Sequence, residues 1–332
     1  MKFAGIFSSN MVFPKGKTIR IFGDGDGDGK INFLGNAAQV HSCNGQWSAE
    51  FPPVNEYGGP YIMTAVLDGK EYAFDNIYIG EVYLMSGQSN MEFKLHETST
   101  KERKTNPLVR FFTADRIIKT DRFTAADGWM ASTAETAGDR SALAYLVANE
   151  IAEKKGIAVG IVSCYQGASI IESWLPKGSL EDLGINIPIE EKSIDHVYEP
   201  WQSFNHDGIL YDYALSQVRP FPLSAVVWYQ GESDASDAEA AVYAKELKCL
   251  IEVMRRDFCD EELPFAIVQI ADYTERDGTA WRGIQKAQLD ICGMTPNVET
   301  VISADVCEKD NIHPRTKDRL AARIAAVLMK RI

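Results

Sequence analysis

The residues best suited to chemistry end an apolar run, Tyr83-Leu84-Met85-Ser86-Gly87-Gln88-Ser89-Asn90-Met91-Glu92. Here a strand passes straight into a glycine-containing turn. A turn at the carboxyl end of a parallel strand lifts its side chain into the crevice where open α/β sheets bind ligands, so Ser89 is placed to attack a carbonyl. The ordinary nucleophile elbow has Gly two residues after the serine, and Met91 stands there, which weakens that particular reading. A lone serine turn is more often plain turn chemistry, so a base must be found. A serine needs a base within hydrogen-bond reach and a third group that fixes the base's tautomer. Among five histidines, His313 stands out. The run Asp310-Asn311-Ile312-His313-Pro314 follows an apolar strand and precedes the last helix, so the Asp310 carboxylate can accept from Nδ1 while Nε2 faces Ser89. His41 falls among the amino-terminal strands, and His96, His196 and His206 lie in loop-like stretches without an acid at comparable spacing.

Acyl transfer also requires donors aimed at the developing oxyanion, each worth roughly 3 to 4 kcal/mol of barrier. Two further strand-end loops offer them. In Ser163-Cys164-Tyr165-Gln166-Gly167-Ala168-Ser169, Gly167 can present its backbone N–H closely because it lacks a Cβ. In Trp228-Tyr229-Gln230-Gly231-Glu232-Ser233, the Gln230 side-chain amide is a neutral donor. Trp174, Tyr229 and Trp281 have aromatic faces suited to a sugar ring, and each is as readily a core residue. Glu232 is a candidate for orienting the Gln230 loop or contacting substrate; the plain alternative is a helix-start acid. Each loop alone is unremarkable turn chemistry, but three such turns after parallel-strand candidates, followed by a DxxH before the last helix, are hard to dismiss together.

These motifs resemble the sialate O-acetylesterase and related carbohydrate-acetylesterase branch of the SGNH hydrolases. The resemblance is borne by Ser86 to Met91, by the Gly167 loop continuing into Glu172-Ser173-Trp174, by Val226 to Ser233 and by Asp310 to Pro314, in that order along residues 77–332. The amino-terminal segment, with Phe7-Ser8-Ser9-Asn10-Met11-Val12, is similar to the β domain that precedes the catalytic domain in many members. The resemblance implies a three-layer α/β/α hydrolase domain and a serine esterase that removes O-acetyl groups from carbohydrates, sialic acid first among them. It implies Ser89 as nucleophile, His313 as base, Asp310 as orienting acid, and an oxyanion hole of the Ser89 and Gly167 N–H groups with the Gln230 side chain. An acyl-enzyme reaction of this kind requires no cofactor, and no metal is expected. The sequence departs from the family pattern at Phe204-Asn205-His206-Asp207-Gly208. The alternatives are an acetylxylan or other sugar acetylesterase, and a catalytically silent carbohydrate-binding protein on the same scaffold. A basic side chain at the pocket favours sialate, which carries a carboxylate, and Arg282 is the candidate.

Positioning these loops requires a sheet. Up to about residue 75 the chain reads as short strands (18–22, 31–34, 38–42, 47–51 and 61–67) separated by Gly, Asn and Pro, which suggests a small antiparallel β-sandwich over 1–75. Over 76–332 apolar strands (82–85, 158–163, 224–229, 265–270, 301–304) alternate with helical patterns (142–153, 238–256 and a terminal helix from about Thr316), as a parallel sheet covered on both faces demands. Pro314 suits the first turn of that last helix. Residues 92–138 read as long loops near the site.

The chain has 332 residues, enough to bury roughly 75% of its unfolded surface, so no metal or disulfide is needed to hold it together. A net charge of −13 and a pI near 4.9 argue against a nucleic-acid or anionic-membrane partner, either of which needs a basic face. The expected partner is an O-acetylated sugar, small or oligosaccharide; the oligomeric state is open. Six cysteines lack metal spacing and read as free, largely buried thiols. The amino terminus lacks the apolar run of a signal peptide, so a cytoplasmic location is expected. Asp24, Asp26 and Asp28 match the first half of a calcium loop, but Gly35 stands where a bidentate acid belongs, and a hairpin turn is the favoured reading.

Overall fold

The computed structural model describes residues 1–118, 122–188, 191–192 and 199–332; His196 lies outside them. Eight short strands open the chain: β1 (Lys2–Phe3), β2 (Val12–Pro14), β3 (Ile19–Asp24), β4 (Gly29–Phe33), β5 (Asn36–Gln39), β6 (His41–Cys43), β7 (Gln46–Phe51) and β8 (Gly58–Leu67). Strands β1, β3, β7 and β6 form one antiparallel sheet, and β5, β4 and β8 form the other with β9 (Lys70–Gly87). Alternate residues of both point inward: Ile19, Ile21, Trp47, Ala49 and Phe51 from one sheet, Ile31, Phe33, Met63, Ala65 and Leu67 from the other, all buried. That period of two is what packs two sheets face to face.

The remaining strands are β10 (Asn106–Thr113), β11 (Met130–Ser132), β12 (Val159–Tyr165), β13 (Ala225–Tyr229), β14 (Phe265–Val268) and β15 (Val298–Val301). They join β9 in the order β11-β10-β12-β9-β13-β14-β15, parallel except for edge strand β11. The boundary expected near residue 75 falls inside β9, whose first half pairs with β8 and whose second half is the centre of the parallel sheet. Helices Ala142–Lys155 and Asp318–Met329 pack on each other over one face, and Asp237–Asp257 and Thr279–Met294 over the opposite one, giving the α/β/α layering. Ser141 and Ser236 cap two of these helices by accepting from the N–H groups three residues on, of Ala144 and Glu239, which satisfies donors the helix cannot. Among the described residues no helix is long and apolar enough to cross a membrane.

Four readings are corrected. The 92–138 stretch contains two strands; β10 was masked by Pro107 and by Arg110, which is buried with its guanidinium 4.0 Å from the Tyr78 ring centre. The helix Thr279–Met294 was passed over although Trp281, Ile284, Ala287 and Ile291 form its buried stripe. The last helix begins at Asp318 with Lys317 as N-cap, so Pro314 belongs to the preceding loop. All six cysteines are unpaired, but Cys43, Cys259 and Cys292 are exposed and only Cys164 is fully buried.

Candidate active site

Three loops leave the carboxyl ends of β9, β12 and β13 together with the one between β15 and the last helix. The β9 turn is possible because residue 87 is glycine: its φ is +133°, and a Cβ would lie 2.1 Å from the Tyr229 carbonyl oxygen. The chain then winds into one helical turn, Ser89–Glu92, with Ser89 first. On the facing loop, His313 Nε2 lies 2.8 Å from Ser89 Oγ. The imidazole stacks on Phe93, ring centres 5.8 Å apart and planes 18° apart. Both residues border a cleft of about 490 Å³ whose walls include Arg116, Gly167, Trp201 and Arg276.

Asp310, expected to orient the ring, does not reach it. The loop turns on a bond from the His313 N–H to Asn311 Oδ1, and Asp310 is left exposed without a hydrogen bond or ion pair to the imidazole. Gln230 is also corrected as an oxyanion donor. Its side chain is fully buried, donates to the Ser169 carbonyl and to Asp234, and accepts from the Tyr243 hydroxyl. Gly231 at φ +139° swings that loop away from the cleft. Gly167 does face the cleft, and its N–H donates to Glu92 Oε2 at 2.8 Å. The other Glu92 oxygen pairs with Arg116. Ala168 follows at φ +61°, a strained conformation for a residue with a Cβ. Asn205 braces it, donating to the Ala168 carbonyl at 2.7 Å and accepting from Ile170 N–H at 3.0 Å, so the 204–208 segment supports the Gly167 loop from behind.

The aromatic candidates are core residues. Trp174 is buried edge-on against Trp228 with its indole N–H on Ser169 Oγ, Tyr229 is fully buried, and Trp281 donates to the Ala271 carbonyl. Among the described residues the aromatic rings at the cleft besides His313 are Phe93 and Trp201. Arg282 pairs with Asp272 and Gln285 away from the cleft. Glu232 touches no cleft surface; it is buried behind the nucleophile turn and accepts from the Asn90 side chain at 2.6 Å. The same Asn90 amide donates to the Ile312 carbonyl at 2.9 Å, and its oxygen accepts from Lys317 Nζ at 2.7 Å. Sequence reading missed Asn90, Glu92, Arg116 and Lys317. The spacing His313-Pro314-Arg315-Thr316-Lys317 was visible, but nothing in it announces a buried ammonium. Among the described residues no group of three or more His, Cys, Asp or Glu side chains is arranged to hold a metal ion. In the β3–β4 turn, Asp26 accepts from the Gly45 N–H.

A hydroxyl in contact with an imidazole, at the carboxyl edge of a parallel sheet clad with helices on both faces, defines an SGNH-like hydrolase. The chain belongs to the sialic acid-specific acetylesterase family of carbohydrate esterases, whose model matches residues 79–330. It is similar to the sialate O-acetylesterases of Mus musculus and Homo sapiens, each 23% identical over 97% of this chain, covering 72% and 69% of those proteins. A solved carbohydrate acetylesterase from Xanthomonas citri superposes with a TM-score of 0.84 at 25% identity, covering 98% of this chain and 74% of that one. The protein is a carboxylic ester hydrolase that removes acetyl groups from sugars.

Proposed function

We propose that the protein deacetylates O-acetylated sialic acids, with Ser89 as nucleophile and His313 as general base. The observation that carries this reading is the 2.8 Å contact between His313 Nε2 and Ser89 Oγ, a distance at which a proton passes as the hydroxyl attacks. Ser89 Oγ bonds to the acetyl carbonyl carbon while its proton moves to Nε2. The ester C–O bond then breaks, the proton passes to the departing sugar hydroxyl, and an acetyl-serine remains. Water, deprotonated by His313, releases acetate and restores the serine. The Gly167 N–H beside Ser89 is the donor for the oxyanion, which competes for it with the Glu92 carboxylate that holds it now. Arg276 on the cleft wall supplies a cation for the sialate carboxylate.

The test is a panel of O-acetylated sialic acids, acetylated xylan and a neutral chromogenic acetyl ester. Ser89→Ala is expected to reduce turnover of all of them to background in a folded protein, and a phosphonate probe should label Ser89 covalently. Turnover retained by the variant removes Ser89 from the mechanism; an unlabelled, folded wild-type chain favours the silent binding protein. Arg276→Ala should raise KM about tenfold for the sialate ester and leave the neutral ester within about twofold. Equal loss on both, or preferred turnover of acetylated xylan, moves the assignment to a neutral sugar.

A further inference from the structure

The Asn90 amide sits at a junction. Ser89, the residue before it, carries the hydroxyl; Ile312, whose carbonyl it bonds, precedes the histidine. Its orientation is set by chemistry alone: an ammonium can only donate, so Lys317 must face the amide oxygen, and the Glu232 carboxylate and Ile312 carbonyl can only accept, so they face the NH2 group. The amide dipole thus lies between a buried cation and a buried anion, 2.7 Å from one and 2.6 Å from the other. Lys317 is 0% exposed. Its Nζ also lies 5.3 Å from the centre of the Phe93 ring, the ring on which His313 stacks, and 5.7 Å from that of Tyr229. Lys317 itself does not line the cleft, although the Phe93 ring it touches does.

We infer that Lys317 is a positioning residue of the esterase reaction, fixing through Asn90 the turn that carries Ser89 Oγ against the loop that carries His313. The inference rests on the Ser89–His313 reading above. The ammonium sets a buried positive charge opposite the Glu232 carboxylate across the Asn90 amide. Among the described residues the groups around Lys317 are Glu232 and Tyr229 from β13 and its loop, Cys307 and Glu308 from the loop after β15, and His313 by way of Phe93 and Ile312. Burial lowers the lysine to about 8, against the upward pull of Cys307, Glu232 and Glu308. The clamp therefore loses its charge within a range where the ester assay works. Between about 8 and the ordinary 10.5 the unfolded chain keeps a proton that the folded chain has released, so this group's contribution to stability rises with pH there. Its deprotonation accordingly removes activity without weakening the fold.

The experiment measures kcat, KM and melting midpoint from about pH 6 to pH 10 on the chromogenic acetyl ester, for wild type, Lys317→Met and Lys317→Met/Glu232→Gln. Wild-type kcat is expected to fall above pH 8 or so, with no fall in the midpoint across the same step. Lys317→Met should lose roughly tenfold to a hundredfold in kcat with KM within about twofold, because it misplaces the attacking group without touching substrate. Its alkaline limb should vanish. The double variant should recover part of the loss, since the cation and the anion are removed together. A folded Lys317→Met chain with wild-type kcat and an intact limb overturns the inference. Should that chain fail to fold, a wild-type profile flat through pH 8, or a double variant that keeps the limb, overturns it equally. Phosphonate labelling in the same samples separates the two levels: a labelled Ser89 with an indifferent Lys317 sinks only the clamp, and an unlabelled Ser89 sinks the mechanism beneath it.

Discussion

Two buried charge assemblies flank the end of β13, and they are built on opposite terms. Behind the nucleophile turn, Lys317, Asn90 and Glu232 set one cation against one anion through an amide. Under the helix Asp237–Asp257, Asp234, Glu239 and Glu246 are buried together near Glu172, and the ammonium facing them among the described residues is Lys192, which pairs with Glu172. Neither Glu246 oxygen has a hydrogen-bond partner. Burial and then mutual repulsion hold Asp234 and Glu246 well above the ordinary carboxylate range, and burial lifts Glu239 to about 7. The first assembly balances its charge with a side chain until that lysine deprotonates near 8; the second neutralises itself with protons, which it gives up as pH climbs.

The largest effect expected from breaking this contrast is at Gly87, where the nucleophile turn leaves the sheet. A Cβ there meets the Tyr229 carbonyl at 2.1 Å on a residue at φ +133°. Gly87→Ala should cost about a hundredfold or more in kcat and roughly 1 to 3 kcal/mol of stability, read by ester turnover and chemical denaturation. An intermediate effect is expected at the acid assembly. Carboxyls raised in the folded state hold protons that the unfolded chain releases, so stability falls as pH climbs from the ordinary 4.5 toward the folded value, about 7 for Glu239. Glu246→Gln mimics the protonated acid. It should raise the melting midpoint at pH 8 by a few degrees, about 1 kcal/mol, change nothing near pH 4 and leave kcat alone; a gain of equal size at both pH values contradicts the protonation account. The smallest effect separates the buried acid from the exposed one. Asp310→Asn should change kcat by less than about threefold, since an exposed carboxylate without contact to the ring orients little. A loss of about 10⁴, as for a true orienting acid, would mean that the loop closes Asp310 onto the imidazole during turnover.

The parts of the site legible in the sequence were those announced by strand-end turns. Ser89 and His313 were found because an apolar run stopped at a glycine and because an imidazole preceded the last helix. The failures share a physical reason: a loop's position follows from the strand before it, but a side chain's direction follows from backbone angles that composition does not encode. Gln230 and Gly167 stand on equivalent loops; Gly231 at φ +139° turns the first inward, while the second opens onto the cleft. Trp174 and Tyr229 looked like sugar platforms only because their burial was unknown. Lys317 was invisible for the opposite reason, because a lysine at a helix start is almost always solvated. The strand β10 was lost to one buried arginine that the Tyr78 ring makes tolerable.

The 18 residues of β9 act as a single beam. One end pairs with β8 and the other bears the Gly87 turn, and the strand runs on through a bulge between them, where the β8 register shifts and Asn76 takes φ +54°. Removing the first 75 residues would saw through that beam rather than detach an ornament. The truncated enzyme would present raw strand edges to its neighbours, and clumping, more than lost catalysis, is the fate such a cut invites.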